Sequence, residues 1–186
     1  MRQHGVFSVL PGIVYFGHAP HRLAGVMVLN KKINMKTWIA AIAIPLLAGA
    51  AAACLAREGF GIYALLYKPL FSPPGWVFAP VWTAVYVLMG AASCLVYGSQ
   101  ASPPRKRRAL RLYAVQLFLN FLWPVLFFRM GAYFGAFLLL LLLWVLVLIC
   151  RLLFQYISKT AGMLMTVYLI WLSFAGYLNL GVIILN

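Results

Sequence analysis

Five apolar runs divide the chain, at about 37–56, 76–98, 110–128, 132–153 and 162–185, and prolines, glycines or basic residues separate each from the next. A helix needs about 20 such residues to cross a hydrocarbon core of roughly 30 Å, and these runs reach or approach that length. In lipid the backbone polar groups must be satisfied within the segment, which selects helices. The pattern predicts an all-α, polytopic membrane protein: a five-transmembrane-helix bundle over residues 35–186, with no second folded domain.

Within the runs, aromatic and amide side chains recur at helical spacing. Phe78, Trp82, Val85 and Met89 share one face of the second run, and Gln116, Asn120, Trp123 and Phe127 share one of the third. Tyr168, Trp171, Ala175 and Leu178 do the same in the fifth. Three such faces, if they converge, make an aromatic-walled pocket suited to a flat apolar ligand oriented by a few polar groups. Ordinary packing gives the same spacing and is the commoner reason for any single aromatic. Asn120 and Gln116 stand apart, because an amide at mid-membrane depth is costly unless bonded; interhelical hydrogen bonds and ligand contact are both open to them. Pro45 and Pro124 are expected to kink their helices. Gly131 and Gly135 form a GxxxG pattern that fits packing within the monomer or the face of a homodimer.

Composition agrees with a lipid solvent: 66% of the 186 residues are hydrophobic and 9% charged, so the surface a soluble fold shows to water is missing. The net charge of +14 raises nucleic-acid binding as a question, but the basic residues lie beside the apolar runs, and no polar domain exists to carry a binding patch. No nucleic-acid partner is expected. Twelve of the 15 basic residues fall in the amino-terminal arm, the second connection and the fourth; Arg57, Lys68 and Arg129 fall on the opposite side. This places the amino terminus on the inner, positive side and the carboxyl terminus outside, with a bacterial cell membrane as the expected location. Arg105, Lys106, Arg107 and Arg108 read as an anchor to anionic lipid.

Residues 1–34 depart from this pattern. Their apolar stretch at 6–16 is too short to span, and they hold all three histidines. An initiation site assigned upstream of the true one is the favoured explanation, and a poorly ordered extension the alternative. Residues 57–75 form the longest connection and hold Glu58, the one acidic side chain. Pro73, Pro74 and Gly75 stiffen its end and turn it into the second span.

Catalysis can be tested by subtraction. The chain has no Asp, one Glu at an interface and no His after His21, so no triad, carboxylate pair or His-based metal site can be assembled in the bundle. No catalytic residue and no metal ligand is assigned. Cys54, Cys94 and Cys150 all lie in apolar runs, where a free thiol behaves as a small hydrophobe.

The stretch Ser72-Pro73-Pro74-Gly75-Trp76-Val77-Phe78-Ala79-Pro80-Val81-Trp82-Thr83, followed by Tyr86 and Met89-Gly90, closely resembles the signature of the translocator protein (TspO/MBR) family. The likeness continues through Gln116, Leu119-Asn120, Trp123 and Phe127-Phe128, and through Tyr168, Trp171, Phe174-Ala175 and Leu178-Asn179, over residues 61–186. It implies a five-helix bundle with a ligand pocket between the helices, lidded by the first loop. Members bind porphyrins and haem, sterols in animals, and benzodiazepine-type ligands. By position, the resemblance implies that Tyr63, Pro73, Phe78, Trp82, Asn120, Phe127, Trp171, Ala175 and Leu178 line that pocket. A tetrapyrrole or sterol is then the small-molecule partner, the bilayer the other partner, and no cofactor is obligatory. Light- and oxygen-dependent degradation of bound porphyrin, and a scaffold with a vestigial pocket, are the alternative functions.

Three positions depart from the family pattern: Phe71 where tryptophan is common before the double proline, Pro124 where serine follows Trp123, and Val167 where a proline precedes Tyr168. Without that last proline, span five is expected to begin as a straighter helix. The carboxyl-terminal sterol motif is absent; Leu152, Tyr156 and Lys159 match its loose pattern elsewhere.

Overall fold

The computed structural model describes residues 33–186, so the expectation for residues 1–34 falls, but for Ile33 and Asn34, outside the described residues. Helix α1 runs Met35–Ala56, capped by the Asn34 side chain accepting from the Lys36 amide. A 3-10 turn, Arg57–Gly59, joins it to the short α2, Phe60–Leu65. A second 3-10 turn, Gly75–Val77, leads into α3, Phe78–Gly98. Then follow α4, Pro103–Pro124, a π-helical turn Val125–Arg129, α5, Tyr133–Ile157, and α6, Lys159–Leu185. Five of the resulting helical segments are long and apolar enough to cross a membrane, and the protein is a multi-pass integral membrane protein.

The spans pack in a ring, α1 beside α3, α3 beside α6, α6 beside α5, α5 beside α4, and α4 back beside α1. One residue, Ser158, separates α5 from α6, which forces them to be antiparallel neighbours. Small residues permit the closest approach of α1 and α3: a Cβ on Gly90 would stand 2.6 Å from the Ile42 Cα and the Ala41 carbonyl oxygen. The core between the helices holds Met89, Gln116, Asn120, Leu140, Phe154, Met165 and Tyr168, each almost fully buried.

Four local expectations are corrected. The third span begins at Pro103 rather than near 110, so Arg105 to Arg108 lie on the helix and not in a loop; Pro103 occupies the first helical position, where a missing N–H is harmless. The first connection is half helical, since residues 57–65 continue span one by a 3-10 turn and α2. Gly75 keeps an ordinary backbone and an added Cβ would meet nothing within 4 Å, so it is the prolines that make this turn. Gly131 is not on a helix: with φ +61° it closes the α4–α5 turn, where the Ala132 amide donates to the Leu126 carbonyl, and Gly135 meets only Ala132. Within the chain, the GxxxG spacing is thus a turn signal rather than a seam between its own helices.

Pro45 lies inside the continuous α1, whereas Pro124 ends α4 and leads into the π turn. Pro124 brings no N–H to the helical ladder, and the turn that follows is wider by one residue, the Met130 amide donating to the Val125 carbonyl at 3.0 Å. Span five begins without interruption, Val167 and Tyr168 both lying within the continuous α6.

Candidate functional site

A cavity of about 750 Å³ lies between α1, α2, the start of α3 and the end of α4. One wall is the α3 face, Phe78, Trp82 and Tyr86 at steps of four. The opposite wall is α1, with Leu46, Leu47, Gly49, Ala50 and Ala53, and the last three of these carry little or no side chain. Trp123, Pro124 and Phe128 close it from α4, and Phe60 and Tyr63 of α2 cover its end. Tyr63 and Thr83 bring hydroxyl groups to an otherwise apolar lining. Trp76, mostly exposed, stands at the rim.

The π turn explains how two consecutive phenylalanines serve different surfaces. Phe127 faces inward, stacked on Trp123 at 5.2 Å and edge-on to Tyr133, whereas Phe128 meets Phe60 at 5.0 Å and Tyr63 at 5.8 Å beneath α2. The lid is seated by a close backbone approach: a Cβ on Gly59 would fall 1.8 Å from the Phe128 carbonyl oxygen. Lys68 closes the lid's far edge, donating to the Ala64 and Leu66 carbonyls with its ammonium 5.1 Å from the Tyr63 ring centre.

Trp82 is the hub of the aromatic cluster. Its ring centre lies 5.7 Å from Tyr86, 6.3 Å from Trp123, 6.1 Å from Trp171 and 6.5 Å from Tyr168. Behind the cavity wall, the Tyr86 hydroxyl donates to Asn120 Oδ1 at 2.8 Å, and Asn120 Nδ2 donates to the Tyr168 hydroxyl at 2.6 Å. About three turns further along α6, Trp123 Nε1 donates to Asn179 Oδ1. The Gln116 amide and the Tyr113 hydroxyl, one turn apart on α4, are buried without a partner among the described residues, as is Trp171 Nε1.

Of the nine positions singled out in the sequence, Tyr63, Phe78 and Trp82 line the cavity. Trp171 stands one layer behind, edge-on to both Phe78 and Trp82. Asn120, Phe127, Ala175 and Leu178 are buried in helix packing, and Pro73 lies half-buried in the connection before α3. The three aromatic faces therefore do converge, but span five supplies the backing of the pocket and span one its open wall. The α1 wall carries no aromatic stripe; its sequence signal is the small-residue set Gly49, Ala50 and Ala53, which alone does not distinguish a cavity from close packing. Trp76, part of the signature stretch but not among those nine positions, also lines the rim. Among the described residues, no three His, Cys, Asp or Glu side chains are brought together.

Comparison with known proteins agrees with this architecture. The tryptophan-rich protein TspO of Chlorobaculum tepidum is 38% identical over 124 residues, covering 67% of this chain and 78% of that protein. The translocator protein of Bos taurus is 37% identical over 147 residues, 76% of this chain and 87% of its own length. The tryptophan-rich sensory protein of Cereibacter sphaeroides is 36% identical over 124 residues, 67% and 76% respectively. The TspO/MBR family matches residues 41–185, a stretch that takes in the α1 wall, the lid and the Trp82 cluster alike, and the chain belongs to that family.

Proposed function

We propose that this protein is a membrane sensor or transporter that binds a flat tetrapyrrole, porphyrin or haem, in the cavity between α1, α2, α3 and the end of α4. The observation that carries the reading is the cavity itself: about 750 Å³, within the roughly 300–1,000 Å³ of small-molecule sites, and walled by Phe78, Trp82, Tyr86, Trp123 and Phe128. A macrocycle offers two broad π faces, and indole and phenyl rings are the side chains that match them with the least loss of conformational freedom. Tyr63 and Thr83 supply hydroxyls that orient a polar substituent. A sterol is the competing occupant of the same apolar volume. Relatives named for translocation and for sensing support the functional class. In this reading the end of the bundle bearing Lys36 and Arg105 to Arg108 faces the inner side of a cell membrane.

The test is a side-by-side titration with porphyrin, haem and sterol, read by quenching of tryptophan fluorescence. Porphyrin or haem should saturate the signal, and the Trp82→Phe, Trp171→Phe double variant should weaken it. Unchanged protoporphyrin affinity in that variant sinks the pocket assignment.

One observation favours a second reading, degradation of bound porphyrin driven by light and oxygen. Trp82, Trp123, Trp171 and Tyr168 form a connected set of oxidisable rings, each centre within 6.5 Å of that of Trp82. The product decides between the two. A binder or transporter returns porphyrin intact after illumination, whereas a degrading protein yields a new pigment at substoichiometric protein.

A further inference from the structure

The strongest charge feature of the molecule is remote from the cavity. Within the first turns of α4, Arg105, Lys106, Arg107, Arg108 and Arg111 crowd one end of the bundle, while the single acidic side chain, Glu58, lies beyond the far end of α1. These cations sit on the positive pole of the helix dipole and at mutual spacings of three and four residues, an arrangement that repels itself without an anion.

Two of the five are occupied by the protein. Lys106 donates to the Tyr97 and Ser99 carbonyls, and the Arg105 guanidinium lies 5.3 Å over the Tyr156 ring. The other three, Arg107, Arg108 and Arg111, line a shallow groove of about 520 Å³ floored by Pro103 and Pro104. The surface below them is equally specific. Continuing from Arg111 along the same face, Val115 is 50% and Phe118 60% exposed, so the arginine groove runs directly into an apolar strip that no other helix among the described residues covers.

We infer that this face of α4 is a binding site for one anionic phospholipid, with the headgroup phosphate held by Arg107, Arg108 and Arg111 and an acyl chain lying along Val115 and Phe118. Guanidinium forks match phosphate oxygens in geometry and charge. The apolar strip is what selects a lipid over a soluble phosphate, since a free anion gains nothing from Val115 and Phe118. The site is separate from the tetrapyrrole cavity and does not depend on it.

The experiment is native mass spectrometry of the detergent-purified protein with dioctanoyl phosphatidylglycerol, dioctanoyl phosphatidylcholine or inorganic phosphate. Phosphatidylglycerol should be retained saturably and phosphatidylcholine should not. The triple variant Arg107→Gln, Arg108→Gln, Arg111→Gln should lower phosphatidylglycerol affinity at least about tenfold. Arg111→Gln alone, which removes one cation, should lower it about fivefold and serves where the triple variant fails to fold. Phe118→Ala should weaken the lipid several-fold, and Lys159→Gln, a cation at the same end but off this face, should change nothing. Equal retention of phosphatidylcholine, an unaffected arginine variant, or an equal loss in Lys159→Gln overturns the site. Phosphate bound as tightly as the lipid, with Phe118→Ala silent, overturns the lipid assignment in favour of a soluble anion.

Discussion

Tyr86 and Asn120 are joined across the boundary between the cavity and the core: the tyrosine ring forms part of the cavity wall while its hydroxyl donates to Asn120 Oδ1 at 2.8 Å. Asn120 passes the connection on to Tyr168, so α3, α4 and α6 are tied at one depth. In a membrane, where apolar packing does not distinguish protein from lipid, such bonds fix helix register. Asn120→Leu removes both bonds at once, each worth about 0.6–1.7 kcal/mol, and should destabilise the bundle by about 1–3 kcal/mol, measured as unfolding in mild detergent. Porphyrin affinity should change little, because Asn120 lies behind the wall. A large loss of affinity at unchanged stability would show that the amide contacts ligand directly.

The α1 wall of the cavity depends on a missing side chain. A Cβ on Gly49 would stand 2.1 Å from the Tyr86 ring, whereas one on Gly61 would meet nothing within 4 Å. Gly49→Ala should therefore push the Tyr86 ring and strain its bond to Asn120, lowering stability by about 1–3 kcal/mol. Gly61→Ala, at an open helical position, should be neutral or stabilising by up to about 1 kcal/mol. Thermal unfolding of the two variants beside the parent checks the contrast, and equal effects would contradict this packing of α1 on α3.

The two candidate pocket walls make different predictions. Ala53 faces the cavity from α1, while Ala175 is buried in α6. Ala53→Phe should fill the cavity with little strain and reduce porphyrin affinity at least about tenfold, or about 1.4 kcal/mol, in a fluorescence titration. Ala175→Leu overpacks the core and should show first as lost stability. Undiminished porphyrin binding by Ala53→Phe would move the site away from this cavity.

The helix faces were legible in the sequence because burial in a bundle repeats every three to four residues. Val85, Met89, Gln116, Asn120, Trp123, Phe127, Tyr168, Ala175 and Leu178 are all buried, as their spacing requires. Which of those faces borders open space is a different quantity, set by how far neighbouring helices diverge. Here α1 approaches α3 at Gly90 and stands off from it beside Phe78, and no periodicity in either helix encodes that divergence. Similarly, a GxxxG spacing does not distinguish a helix seam from a left-handed turn residue, and Gly131 is the latter. The start of α4 had a readable signal, Ser102 followed by Pro103 and Pro104, but the hydropathy of the run begins a full two turns later.

The connection before α3 is strapped to the end of α6, and this contact controls how firmly the lid is held. Asn186 forms a two-point pair with one residue of the connection: the Tyr67 amide donates to Asn186 Oδ1 at 3.1 Å and Asn186 Nδ2 donates to the Tyr67 carbonyl at 3.0 Å. Further along, the Tyr177 hydroxyl donates to the Leu70 carbonyl at 2.7 Å, just before Phe71 takes the left-handed backbone (φ 65°) that a side chain disfavours. These bonds are local and largely exposed, so their loss should open the segment without unfolding the bundle. Asn186→Ala with Tyr177→Phe should raise amide hydrogen exchange in residues 66–72, each lost bond being worth about 0.5–1.5 kcal/mol. Global melting should fall by no more than about 2–4 °C. If the lid gates the cavity, porphyrin should also leave faster from this variant at nearly unchanged total affinity, because a loosened lid lowers the barrier in both directions. A change in affinity without a change in exchange rate would assign Asn186 to the binding site instead.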